Sequence, residues 1–349
     1  MEKLGAAVKK LNLEKEMYQE ARLRGMTFRE FLEELDPSEE YEGKLAEMDA
    51  FQRQLLAHEI KIKGPGADVL EKFFASTSSA VLFPHYVESQ VQAGILATSL
   101  LPDLVATETM IDSHTYESLR LAESEADRQL QEIAEGTELP VTEITTAEHS
   151  VKLKKFGRLL RASYESLRLK RLNVVSVFLQ RLGAQIGIDE TDWALSVLIN
   201  GDGNNNALTP TQSDVSGTLD YNEMVKLWLA FPAGYQCRKI VVGDEMLATI
   251  LNMSEFKDPQ AGFTWQRTGE LISPVGAKLL RWTSTAVLPS DYVLGVDERY
   301  ALEQVTELGV MTETDRLINR QIEMTAVSKW TGFVKLDVNA AQAIDVTHG

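Results

Sequence analysis

Apolar positions recur at helical spacing through the first part of the chain and again, more strongly, at its centre. Leu4, Val8, Leu11 and Tyr18 form a loose stripe. Thr27 followed by Glu30 is a capping box, with Phe28, Phe31, Leu32 and Leu35 as the apolar face behind it. Asp36-Pro37 reads as the N-cap and first residue of a next helix, which carries Tyr41, Leu45, Met48, Gln52 and Leu55 at heptad-like steps. Gly64-Pro65-Gly66 breaks the pattern. Residues 1–63 are therefore expected to be a charged helical set, either a solvated arm or a partner-binding hairpin. Residues 67–112 change character. Phe73-Phe74 through Phe83-Pro84 is apolar and rich in small residues, without a long helical stripe, and a short helix from Tyr86 to Thr98 precedes Leu100-Leu101-Pro102. The expectation there is an extended arm that another surface must cover.

Two β-prone runs, His114–Leu121 and Val151–Ala162, flank the turn-rich Glu135-Gly136-Thr137-Glu138-Leu139-Pro140, which predicts a long two-stranded hairpin. A lone ribbon is marginally stable, so it should lie on another surface. Val175, Phe178, Leu182, Ile186, Trp193 and Val197 keep one face apolar over residues 174–200, and Asn200-Gly201 supplies a left-handed stop. A mixed α/β region runs on to about residue 320, with helices at Leu219–Ala230 and Asp244–Leu251 and strands at Lys239–Val242, Gly276–Trp282 and Tyr292–Val296. Alternation at Ile322, Met324 and Ala326, then Val334 and Leu336, predicts closing strands within Arg320–Val338.

Composition narrows the class. With 44% apolar and 25% charged residues in 349, the chain is globular, not disordered or fibrous. Its net charge of -17 argues against a protein that wraps duplex DNA by neutralising phosphates. The single cysteine, Cys237, excludes a disulfide framework and a CxxC motif. No run approaches the ~18 apolar residues of a membrane span, and the first residues lack the apolar stretch of a secretory signal. A soluble chain made in a reducing cytoplasm is expected.

The charge is uneven. Glu117 to Glu148 holds nine acids against Arg120 and Arg128, while Val151 to Arg171 holds eight bases against Glu165. These complementary limbs either pair within one arm, which is worth little per exposed pair, or meet between copies. The candidate inter-subunit residues are Glu132, Glu135 and Glu138 on the acidic side, and Lys152, Lys154, Lys155 and Arg158 on the basic side.

Catalytic signals are absent from the pattern. Asp202-x-Asn204-x-Asn206 imitates a calcium loop, but Ala207 and Ser213 stand where that loop needs a glycine and an acid. The histidines (His58, His85, His114, His149, His348) are scattered and form no HExxH. Cys237 before a buried strand reads as a small core residue. Asp189, Glu190 and Asp192 are neighbouring carboxylates that suit ion pairs or a solvated face better than acid–base work. No catalytic, cofactor-binding or metal-binding residue is assigned.

The order of segments resembles the major capsid proteins of tailed bacteriophages, the Hong Kong 97 fold. The resemblance rests on Phe73-Phe74-Ala-Ser-Thr with Val81-Leu82-Phe83-Pro84, Gly136-Thr-Glu-Leu-Pro140-Val, Val151-Lys-Leu-Lys-Lys155-Phe-Gly-Arg, Tyr164-Glu-Ser-Leu-Arg168 and Leu198-Ile-Asn-Gly-Asp-Gly203. It covers roughly residues 67–345. It implies an α+β Hong Kong 97-like capsid fold with an N-terminal arm, an extended β-hairpin loop, a peripheral domain built on a long spine helix, and an axial domain. On this chain, 1–66 is a charged helical segment, scaffold-like or an arm. Residues 67–112 are the N-terminal arm and the start of the peripheral domain, and 113–163 the hairpin loop. The spine helix is 164–204, the axial domain 205–320, and 321–349 the closing strands of the peripheral domain.

The resemblance further implies a structural protein and not an enzyme, self-assembling into hexamers and pentamers of an icosahedral shell around double-stranded DNA, without sequence-specific binding. Implied partners are other copies of the chain, a portal, a scaffolding protein or maturation protease, and a decoration protein. No membrane is involved. The implied location is the virion capsid, assembled in the host bacterial cytoplasm. An encapsulin-type nanocompartment shell keeps the same fold in another role, and a soluble α/β enzyme using Asp189, Glu190 or Cys237 is the third reading. The hairpin tip Arg128–Pro140 has no lysine, so the covalent cross-link of the family member that names the fold is not expected.

Overall fold

A computed structural model of the chain describes residues 8–121, 132, 144–146, 149–163, 170–257, 275–317 and 322–348. Its helices are α1 (Glu16–Leu23), α2 (Phe28–Leu35), α3 (Ala50–Ala57), α4 (Thr77–Thr98), α5 (Leu172–Asn200), α6 (Tyr221–Leu229) and α7 (Asp244–Asn252), followed by a short turn at Ser254–Lys257. The strands are β1 (Val105–Met110), β2 (Thr115–Tyr116), β3 (Leu119–Leu121), β4 (Ile144–Thr146), β5 (Val151–Lys152), β6 (Lys154–Ser163), β7 (Thr211–Gln212), β8 (Lys239–Val242), β9 (Lys278–Arg281), β10 (Tyr292–Val296), β11 (Leu302–Leu317), β12 (Ile322–Lys335) and β13 (Ala341–Asp345). They form a four-stranded sheet ordered β1-β11-β12-β6, a five-stranded sheet ordered β7-β13-β10-β8-β9, and the ribbons β2-β5 and β3-β4. Two compact units result: Met1–Thr98 with Phe156–Gly187 and Val310–Lys329, and Ser99–Lys155 with Ile188–Gly309 and Trp330–Gly349.

In the first unit, α2 starts as the sequence predicts. Thr27 Oγ1 accepts from the Glu30 amide at 3.2 Å, and the Glu30 carboxylate accepts from the Thr27 amide at 2.7 Å. The following helix does not start at Asp36-Pro37. Asp36 is fully buried, and its carboxylate accepts from Arg53 Nε at 3.0 Å and from the Tyr41 hydroxyl at 2.6 Å. A carboxylate engaged in this way has no lone pair aimed at a helix start. The chain instead makes two 3₁₀ turns, Ser38–Glu40 and Gly43–Leu45. α3 begins at Ala50, where Asp49 Oδ1 accepts from the Gln52 amide at 2.7 Å.

Arg53 is fully buried, and it also donates to Ser38 Oγ at 2.8 Å, to Glu33 at 3.3 Å and to the carbonyls of Asp36 and Met48. Burial of a guanidinium is tolerable only when its donors are used in this way. Around this hub, Leu13, Phe28, Leu32, Phe51, Leu55 and Ile60 share one apolar cluster with Phe73, Leu82, Tyr86, Leu172, Leu179 and Ile186. Residues 8–60 therefore contribute to a core, and the expectation of a solvated arm is corrected.

The extended arm is corrected as well. Residues 77–98 form one helix of 22 residues with Pro84 inside it. Val81, Leu82, Phe83, Tyr86, Val87, Val91 and Ile95 are all buried, so α4 is apolar nearly all round and shows no stripe to read. Proline removes an amide and crowds the preceding turn. The opening is spanned by a side chain: the His85 amide donates to the Tyr18 hydroxyl at 3.2 Å, which donates to the Val81 carbonyl at 2.8 Å. The hydroxyl thus bridges the Val81 carbonyl and the His85 amide beside the proline. α4 then meets α5 backbone to backbone. A Cβ on Gly94 would lie 2.0 Å from the Gln180 carbonyl oxygen, and one on Gly183 2.0 Å from that of Val91.

In the second unit, the five-stranded sheet sorts its residues by alternation. Val241, Leu280, Leu294 and Ala343 face one cluster with Ala194, Leu195 and Leu198 of α5. Ile240, Val242, Leu279 and Val293 face another with Met224, Leu227, Leu247 and Ile250 from α6 and α7. Both faces are covered, which is why β8 (KIVV) and β10 (YVLGV) read as continuous apolar runs. β13 pairs antiparallel with β10, from Tyr292↔Asp345 to Val296↔Ala341.

Candidate assembly surface

The expected ribbon is present in part. Of the return limb Val151–Ala162 only Val151 and Lys152 pair with the outgoing limb, and β6 (Lys154–Ser163) instead lies beside β12 in the four-stranded sheet. Thr115 and Tyr116 pair with Lys152 and Val151, and Leu119, Arg120 and Leu121 pair with Thr146, Thr145 and Ile144, all antiparallel. The turn-rich middle, with Glu135 and Glu138, lies outside the described residues, as do Tyr164–Leu167 and Arg168. Glu132 is exposed.

Period-two alternation builds the return limb. Val151 and Leu153 are buried with Val305 and Val334, joined by Ile111 and Tyr116. Lys152 and Lys154 consequently point outward and are exposed. Lys155 and Arg158 are exposed too. Among the described residues none of these four cations has an ion-pair partner. Two have aromatic partners instead: Lys154 Nζ sits 4.3 Å above the Trp193 ring and Lys155 Nζ 5.3 Å from the centre of Trp330. Trp330 also lies against the His114 ring, tilted by 33° with centroids 5.0 Å apart, and His114 Nδ1 lies 2.7 Å from Glu307. Lys152 and Arg158 are the uncommitted pair.

The ribbon's foot is fastened by residues that the sequence reading passed over. The Asp202–Asn206 loop acts as a clamp. Asn204 Oδ1 accepts from the His149 amide at 2.8 Å, and its Nδ2 donates to the His149 carbonyl at 3.2 Å. Asp202 accepts from the Asn204 amide at 3.1 Å and, through its other oxygen, from the Lys335 amide at 3.1 Å. Lys335 is buried, and its Nζ donates to the carbonyls of Leu198 and Asn206, each at 2.9 Å. It thus satisfies an orphan carbonyl at the end of α5. Burial pushes its ammonium down to about 8, against the pull of Asp202 and Asp337. A lysine five residues beyond Trp330 in a strand pattern gives no hint of this role; only the fold brings it to the helix end.

Asp192 accepts from Trp282 Nε1 at 2.7 Å and from Ser284 Oγ at 2.6 Å. Glu190 is fully buried. Cys237 is buried, and desolvation, followed by the nearby Asp297, pushes its thiol up to about 12, far from a thiolate nucleophile at neutral pH. No group of candidate metal ligands occurs among the described residues, and none of their helices is long and apolar enough to cross a membrane.

The chain is α+β, with the long helix α5, a short two-stranded ribbon and a sheet covered on both faces. The sequence matches the family described as "Phage capsid protein" over residues 146–340, more than half the chain, and the chain belongs to that family. Among solved structures it is similar to "Capsid of empty GTA particle computed with C5 symmetry", at 14% identity and a TM-score of 0.50, over 71% of this chain and 90% of that one. It is similar also to "Capsid of native GTA particle computed with C5 symmetry", at 14% identity and a TM-score of 0.50, over 74% of this chain and 90% of that one. These likenesses show the fold, which is Hong Kong 97-like. Among curated proteins the chain has no match.

Proposed function

We propose that this chain is the major capsid protein of a tailed bacteriophage, assembling as hexamers and pentamers into an icosahedral shell that encloses double-stranded DNA. The observation that carries this reading is the family match over residues 146–340 combined with a ribbon whose outward cations have no ion-pair partner among the described residues. A subunit working alone gains nothing from such a limb; a subunit packed against its copies does. In this reading the acidic Glu132, Glu135 and Glu138 of one copy face Lys152 and Arg158 of the next. The same proposal places the chain in the virion and makes a portal protein and any decoration protein its later partners. A net charge of -17 suits a container, because closure confines the DNA and tight binding is unnecessary.

Expression of the full chain, alone and with its neighbouring phage genes, followed by electron microscopy of the purified product, tests the proposal. Closed shells with five- and six-fold capsomers are the expected result. A product that stays a folded monomer under every such condition overturns it.

A further inference from the structure

We propose that residues 8–63 are a permanent part of the subunit, folded into it before assembly and carried intact in the finished particle, and not a segment that proteolysis can release. The particle half of this inference rests on the shell reading above; the folding half does not.

Three observations within the first unit carry it. First, the segment completes a helix that lies outside it. The hydroxyl of Tyr18 bridges the Val81 carbonyl (2.8 Å) and the His85 amide (3.2 Å) across the gap opened by Pro84. Removing Tyr18 leaves both groups of a buried helix unpaired. Second, its aromatic rings are packed into the same place. Tyr18 stacks on Phe28 with centroids 3.9 Å apart, and Phe51 meets the His85 ring edge-on at 4.6 Å. Leu13, Phe28, Leu32, Phe51, Leu55 and Ile60 belong to the same buried cluster as Phe73, Leu82 and Tyr86. Loss of the segment removes those six buried side chains from the cluster and exposes their contact surface to water. Third, the segment carries its own buried specificity. The Arg53–Asp36 pair has no exposure on either side and forms at 3.0 Å, so the segment cannot loosen by degrees without stranding a buried charge. The exposed Lys63-Gly64-Pro65-Gly66, which has the look of a severable linker, joins two parts of one core.

The test is a nick. A site-specific protease sequence is placed at Gly64-Pro65-Gly66 in the full chain, and the purified protein is cut. Both pieces are expected to co-elute on native size exclusion and to part only in denaturant. A freed N-terminal piece beside a soluble, folded remainder overturns the inference. Hydrogen exchange on the unmodified chain keeps the question decidable if the insertion itself disturbs folding. There, α3 amides should be protected to the same order as those of α4; α3 exchanging at unfolded rates beside a protected α4 overturns the inference. Intact mass of subunits from purified particles reads the remaining claim, and a species starting at or beyond residue 64 sinks it. Failure to form any particle refutes the shell reading and leaves the nick and exchange results standing.

Discussion

Two side chains show how single residues hold this fold. Tyr18 is valuable for its hydroxyl, because the ring alone fills the same space. Burial pushes its phenol well above the ordinary value, with Glu88 adding to the effect. Tyr18→Phe keeps the stack on Phe28 but leaves the Val81 carbonyl and His85 amide unpaired, which should cost about 1–3 kcal/mol. Urea unfolding followed by circular dichroism measures it; an unchanged midpoint would show that water replaces the hydroxyl. Lys335 gives a pH signature. Its ammonium titrates at about 8 in the fold and near 10.4 in an unfolded chain. Between those values the unfolded state binds more protons, so stability rises with pH there, at up to about 1.4 kcal/mol per pH unit. The penalty is complete below about 8 and relieved above ~10.4. Lys335→Met should abolish that rise while losing the two bonds to Leu198 and Asn206. Parallel stability–pH curves for the two proteins would refute the assignment.

At the scale of elements, the crossing of α4 and α5 depends on absent side chains. Since a Cβ at Gly94 or Gly183 would stand 2.0 Å from a backbone oxygen of the other helix, Gly183→Ala must push two backbones apart. A destabilisation of about 3 kcal/mol or more is expected, beyond the ~1 kcal/mol that alanine returns by helix propensity. Thermal unfolding checks it, and a variant as stable as the parent would mean that the helices separate freely. What could be read from sequence divides along the same physical line. α2 announced itself because its buried face is a stripe behind a polar cap, Thr27 with Glu30. α5 was legible from its length and its Asn200-Gly201 stop, although Phe178 of the expected stripe is 69% exposed and Leu179 is buried in its place. β8 and β10 were legible as short apolar runs between turns. The second half of α4 was legible, as a short helix from Tyr86 to Thr98. Its first half was not, because Val81, Leu82 and Phe83 are buried in succession and Pro84 argues against helix unless a Tyr18 is known to be waiting. Asp36-Pro37 misled because its best local use, capping a helix, lost to a buried arginine seventeen residues away. The hairpin could be foreseen from its β-prone limbs, but not its fastening, since the Asn204 clamp and Lys335 meet only through tertiary contacts.

For the whole molecule, the separation of acidic and basic limbs is either a device for assembly or an accident of composition, and salt distinguishes the two. Lys154 and Lys155 are poor probes, because their contacts with Trp193 and Trp330 would be lost together with their charge. Lys152 and Arg158 are exposed and have no ion-pair or aromatic partner among the described residues, so reversing both to Glu mainly changes the surface charge. In the wild type, attraction between limbs of adjacent copies should weaken as the screening length falls below the ~8 Å of physiological salt. Assembly should therefore decline with added salt. In Lys152→Glu/Arg158→Glu the facing limbs are both acidic, so assembly at low salt should be strongly impaired and should recover in part as repulsion is screened. The two proteins are thus expected to show opposite salt slopes in light scattering or sedimentation, with identical unfolding curves as monomers. Equal slopes would mean that the limbs do not meet across subunits, and that closure is driven by the apolar surfaces alone.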